Sequence, residues 1–114
     1  MPFISTKTNV TVSKESEIKL KERLGKAISI IPGKSENWLM LAIEGDIPMY
    51  FRGDGSLPTA FIEVKIYGNA SSDTYRKMTK ELTNIYGDVL GIAPDNMYIR
   101  YFGSDDWGWN GSNF

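Results

Sequence analysis

The chain has 114 residues, enough for one domain with a real core and too few for two. Thirteen basic and 14 acidic residues give a formal net charge of -1, and no basic stripe offers a footing for nucleic acid. There is no cysteine and no histidine, which excludes a disulfide framework and a thiol nucleophile and removes the commonest metal ligand and the commonest general base near neutral pH.

Acid–base chemistry in this chain must therefore use carboxylates, lysine, tyrosine or the chain terminus. No run reaches the roughly 18–20 apolar residues that span a bilayer. The opening Met-Pro-Phe-Ile-Ser-Thr-Lys has neither the basic nor the apolar region of an export signal. The expectation is a protein away from the membrane, cytoplasmic or exported by a non-conventional route.

Residues Phe3 to Thr8 read as a short strand. Ser13 can cap a helix running to Ile31, with Glu15 and Glu17 favouring its first turn. Leu20, Leu24, Ala27, Ile28 and Ile31 form its apolar face, and Pro32-Gly33 stops it. Trp38 to Ile43 is a nearly continuous apolar run, which suits a strand covered on both faces. Asp46 to Pro58 reads as turns, with room for a short strand near Met49-Tyr50-Phe51.

From Thr59 to Tyr67 the pattern alternates, with Ala60, Ile62, Val64 and Ile66 on one face and Phe61, Glu63, Lys65 and Tyr67 on the other. A second helix spans Ser71 to Leu90, with Met78, Leu82, Ile85, Tyr86 and Val89 on its apolar side. Gly91 and Pro94 close it. Met97 to Phe102 reads as a further strand.

A shift of 58 residues superposes the halves: Phe3-Ile4 falls on Phe61-Ile62, Ser13 on Ser71, Gly33 on Gly91 and Gly45 on Gly103. All five apolar positions of the first helix fall on those of the second. The chain reads as a single domain, residues 1–114, with repeat halves at about 2–57 and 58–114. Two βαβ units with right-handed crossovers give an α/β (α+β) architecture, one sheet with both helices on one face. The other face then carries mixed apolar and charged side chains and is a candidate assembly surface.

The two ends of the chain carry a resemblance. They read Met1-Pro2-Phe3-Ile4 at the start, and Asn96 to Phe102 followed by Trp107-Gly108-Trp109-Asn110-Gly111-Ser112-Asn113-Phe114 at the finish. With Gly33-Lys34 and Ser56-Leu57-Pro58-Thr59-Ala60 between them, the chain resembles the macrophage migration inhibitory factor and D-dopachrome tautomerase family from end to end. The resemblance implies a homotrimer whose sheets wrap a central channel, with sites built from two subunits. It also implies keto–enol tautomerisation of aryl α-keto acids such as phenylpyruvate, with no cofactor and no metal.

In that family the initiator Met is lost, and Pro2 would then be the catalytic base. An α-amino group has a reference pKa of about 7.7–8.0. Apolar surroundings push it down, toward the value that suits a base at neutral pH. Lys34 matches the residue that faces the substrate carboxylate. Tyr67 matches a position that offers its backbone N–H, although the family often has Ile there. Tyr98 matches an aromatic wall given by a neighbouring subunit. Trp109 and Phe114 match rim aromatics, and Trp38 stands where Tyr is frequent. Each of these aromatics has packing as its plain alternative.

Arg100 follows the D-dopachrome tautomerase branch, and two roles are open for it: a second carboxylate anchor, or an ion pair with a strand carboxylate such as Glu63. The Cys-x-x-Cys of some relatives falls at Thr59 to Ile62 and is absent, so a thiol-oxidoreductase activity is excluded. The alternative function is a cytokine-like secreted factor with a protein receptor. A third reading keeps the fold without activity, because a retained Met1 makes the Pro2 nitrogen a non-basic amide.

Overall fold

The computed structural model describes all residues from Met1 to Phe114 and begins with strand β1 (Pro2–Thr8). Its side chains alternate across the strand, with Pro2, Ile4, Thr6 and Thr8 buried and Phe3, Ser5 and Lys7 on the open side. Helix α1 (Lys14–Ala27) starts where Ser13 Oγ accepts the Ser16 N–H at 3.1 Å. It does not stay α-helical to Ile31. The last turn tightens to 3₁₀ geometry over Ile28–Ile30, and Gly33 leaves with φ +81°.

The expectation for Trp38 to Ile43 needs correction. Glu36–Trp38 forms a 3₁₀ turn, and strand β2 (Met40–Glu44) begins only after it. β2 is an edge strand, paired in parallel with β1 alone, so its apolar run is not covered on both faces. Met40 is 66% exposed. Residues Met49 to Phe51 form no strand. Phe51 and Asp54 exchange two backbone bonds of 3.0 Å around Arg52-Gly53, both at positive φ. That is a tight hairpin-type turn.

Strand β3 (Ala60–Tyr67) buries Ala60, Ile62, Val64 and Ile66 as the alternation requires. Helix α2 (Ser72–Leu90) is capped by Ser71 Oγ, which accepts the Thr74 N–H at 3.1 Å. It ends at Gly91, whose φ of +70° is the left-handed C-terminal stop that glycine adopts without a Cβ penalty. Strand β4 (Met97–Ser104) completes the sheet in the order β2-β1-β3-β4. A small hairpin follows, β5 (Gly108–Trp109) with β6 (Ser112–Asn113). Its turn is Asn110-Gly111, with φ of 53° and 84°. Asn-Gly is the strongest short-range hairpin signal in a sequence.

The duplication survives in three dimensions. The caps Ser13–Ser16 and Ser71–Thr74 are the same bond 58 residues apart. A Cβ on Gly45 would lie 2.9 Å from the Val10 carbonyl oxygen, and one on Gly103 would lie 2.5 Å from the Gly68 carbonyl oxygen. Each half therefore has a glycine where the chain leaving its last strand passes close to the loop leaving its first.

β1 and β2 are parallel through α1, and β3 and β4 are parallel through α2. β1 and β3 run antiparallel at the centre. The helices pack together on one face, where Leu20, Leu24, Ile28, Met78, Leu82 and Ile85 are fully buried against Ile4, Ile62 and Val64. Each such side chain contributes about 1.5–3 kcal/mol. Val89 is only half-buried, so the second helix matches the expected face less closely at its end. One polar pair crosses this core: the Tyr86 hydroxyl hydrogen-bonds Thr6 Oγ1, and both residues are fully buried. No buried side-chain polar atom lacks a partner.

The opposite sheet face has no cover within the chain. Its cross-strand rows are Met40–Phe3–Lys65–Phe102, Ala42–Ser5–Glu63–Arg100 and Glu44–Lys7–Phe61–Tyr98. Lys65 Nζ stands 5.5 Å from the Phe102 ring centre and 3.9 Å from Glu63.

Candidate active site

The first residue of β1 brings the N-terminus to one end of the sheet. Pro2 lies opposite Ile66 and is buried. The Met1 carbonyl accepts the Tyr67 N–H at 3.0 Å. Lys34 reaches the same place from the turn after α1, and its Nζ donates to the Tyr67 carbonyl at 2.8 Å. The terminal amine carried by Met1 has a pKa held below its ordinary value, first by burial and then by the charge and hydrogen bond of Lys34.

A groove of about 460 Å³ opens beside the N-terminus, lined by Met1, Pro2, Trp38, Met40, Trp107 and Trp109 among others. The Trp38 and Trp109 rings meet edge to face at 5.3 Å. Phe114 lies parallel to Trp109 with ring centres 6.3 Å apart and meets Tyr67 at 5.3 Å with the rings tilted by 39°. One chain thus gathers Pro2, Lys34, Trp38, Tyr67, Trp109 and Phe114 around a single mouth. Trp107 belongs there too and was missed from sequence. Its signal is the Trp-x-Trp spacing at the entry to β5, where residues two apart on extended chain share a side.

Tyr98 and Arg100 lie elsewhere. Tyr98 is in register with Phe61, five residues along β3 from Ile66. That is about 17 Å along the strand at ~3.3 Å per residue. It is 60% exposed and packs against Phe51 and Phe61. Arg100 faces Glu63 in register but forms no ion pair with it, since Glu63 bridges to Lys65. Its guanidinium lies over Phe102 at 4.7 Å. Arg100 is nearer, about 10 Å along the strand from Ile66, and neither residue lines the groove beside Pro2.

Other hollows offer less chemistry. The groove between the helices is floored by Arg23, whose charge is met by Asp88 at 2.9 Å and Glu81 at 3.9 Å. No group of three or more acidic side chains comes together as a metal site, and no helix is long and apolar enough to cross a membrane.

A strand that starts at buried Pro2, a lysine at its mouth and a rim of aromatics thus stand together on a duplicated βαβ sheet. The model of the family described as macrophage migration inhibitory factor (MIF) matches residues 1–114, and the chain belongs to that family. It is 31% identical over 116 residues to macrophage migration inhibitory factor of Meriones unguiculatus, covering 100% of this chain and 99% of that protein. It is 28% identical to the macrophage migration inhibitory factor homolog of Trichuris trichiura, with both chains fully covered. Among solved structures, Leishmania major MIF2 superposes with a TM-score of 0.92 at 27% identity, over 100% of this chain and 97% of that one. Membership supports a tautomerase or cytokine-like role, in a superfamily of tautomerase-type isomerases.

Proposed function

We propose that this protein, once Met1 is removed, is a keto–enol tautomerase of phenylpyruvate-like aryl α-keto acids with the Pro2 amine as general base. The observation that carries this reading is the N-terminus itself. Pro2 is buried in β1, and the partly buried terminus lies beside Lys34 at an aromatic-rimmed groove, in a chain with no histidine. A secondary amine there is desolvated and has a cation nearby, and both effects favour its neutral, proton-accepting form. Pro2 takes a proton from the carbon next to the carbonyl and returns one at the other end of the enol.

Lys34 anchors the carboxylate through a charge-assisted hydrogen bond. The Tyr67 N–H, occupied by the Met1 carbonyl while Met1 is present, is freed to meet a substrate oxygen. Trp38, Trp109 and Phe114 pack the aryl group. Tyr98 and Arg100, which do not line the groove of their own chain, act from a neighbouring subunit in a homotrimer built on the uncovered sheet face. Exposed Met40 and Tyr98 and the unpaired edge of β2 support that assembly.

The test is phenylpyruvate tautomerase activity on protein whose N-terminus has been verified by mass spectrometry. Rapid turnover with Pro2 free, lost on Pro2→Gly, supports the reading. No turnover with Pro2 free sinks the substrate assignment and moves the weight to a cytokine-like binding role, which the family's own name favours.

A further inference from the structure

The tautomerase reading uses only the backbone of Tyr67, yet its ring makes contacts of its own. The ring centre lies 5.3 Å from that of Phe114 and 5.8 Å from Lys34 Nζ. Through Phe114, Trp109 and Trp38 the rings form a continuous chain along the groove, from the end of β3 to the turn before β2. The tail that carries two of these rings has little else to hold it. Its strands are two residues each, and Phe114 has one backbone bond, from its N–H to the Trp107 carbonyl at 3.1 Å. An isolated hairpin of that size is marginal in water.

Tyr67 differs from the other three rings in its footing. It sits at the end of β3, an interior strand of the four-stranded sheet, in register with Ser104 of β4. Of the two rings that meet the tail from outside, Trp38 stands on a 3₁₀ turn and Tyr67 on the sheet itself.

Resting on the tautomerase reading, we propose that the Tyr67 side chain is a positioning residue that latches Phe114 over the groove and holds the Lys34 ammonium at its face. The carboxylate anchor and the aromatic wall then share one support. An aliphatic residue at position 67 fills space but gives neither an aromatic partner for the tilted Phe114 ring nor a π face for the ammonium. A ligand with a carboxylate and an aryl ring, one held by each part, benefits most from that coupling.

The test compares Tyr67→Leu with Tyr67→Phe in the full chain with Met1 removed. The first readout is amide hydrogen exchange of residues 107–114, followed by mass spectrometry without substrate. The second is the KM and kcat for phenylpyruvate. Tyr67→Leu is expected to speed exchange of the tail about tenfold and raise KM about tenfold with kcat within threefold, as one or two lost ring contacts imply. Tyr67→Phe, which keeps the ring, is expected to rescue both. Unchanged exchange in Tyr67→Leu overturns the latch. Faster exchange with unchanged KM overturns the positioning of Lys34. If the parent protein turns over no phenylpyruvate, the tautomerase reading fails, while the exchange comparison still decides the latch.

Discussion

Replacing Lys34 by methionine keeps most of the aliphatic stem and removes the charge. In the structure the lysine is half-buried and its ammonium donates to the Tyr67 carbonyl at 2.8 Å, one of three N–H donors, which leaves capacity for a carboxylate. A hydrogen bond to a charged partner is worth about 1.5–3 kcal/mol. At ~1.4 kcal/mol per tenfold, Lys34→Met lowers kcat/KM for phenylpyruvate by roughly 10- to 150-fold. Most of that loss falls on KM, because the carboxylate is not the reacting group. With Met1 present the same charge helps to lower the pKa of the Met1 amine, and a Pro2 amine exposed in its place meets the same cation. Without it the pKa rises, so more of the base is protonated at a given pH and the acid limb of the rate profile moves to higher pH. The assay is steady-state turnover of the enol across pH 5 to 9, run in parallel with phenylpyruvate methyl ester. The ester lacks the carboxylate and is expected to lose less than threefold. Equal losses for acid and ester would refute the anchor, and an acid limb that stays in place would refute the effect of the Lys34 charge on the base.

Three further expectations follow from the fold. Tyr86→Phe strands Thr6 Oγ1 in the core and costs about 1–3 kcal/mol in denaturant unfolding, whereas Thr6→Val with Tyr86→Phe recovers most of it. Burial holds the Tyr86 and Tyr101 phenols above their ordinary pKa, so the stability they contribute is complete below about pH 10, where the unfolded phenols are also neutral, and falls as pH rises above it. Absorbance at 295 nm is expected to show the Tyr86 tyrosinate appearing with unfolding and Tyr101 ionising at higher pH than an exposed tyrosine. Gly103→Ala meets the Gly68 backbone at 2.5 Å and is expected to lower the melting temperature more than Gly91→Ala, which meets no atom within 4 Å and suffers only the positive φ, about 1 kcal/mol. Equal shifts would show that the close approach at Gly103 is not needed.

Within the site, Pro2 and Lys34 came from the family resemblance, and the structure brings them to one end of the sheet. Without histidine or cysteine, an amine at the terminus stands out, and Lys34 follows the glycine that ends the first helix. Trp38 was legible as an aromatic but not as the end of a 3₁₀ turn. Its apolar neighbours gave the same signal that a buried strand would give, and only pairing partners distinguish an edge strand from an interior one. The carboxy-terminal hairpin was written in Asn110-Gly111 and overlooked, and with it the place of Trp107.

The sequence by itself determined the repeated βαβ plan, the helix caps and stops and the buried faces, because hydrophobic periodicity and cap chemistry act within a few residues. It also determined that no thiol or imidazole chemistry is available. Only the tertiary structure decided that Met1, Lys34 and Tyr67 meet at one mouth, that four rings join in a chain closed by Phe114, and that Tyr98 and Arg100 stand outside the groove beside Pro2. Those are distances between strands and loops far apart in the chain, fixed by sheet order and register, and no local pattern carries them.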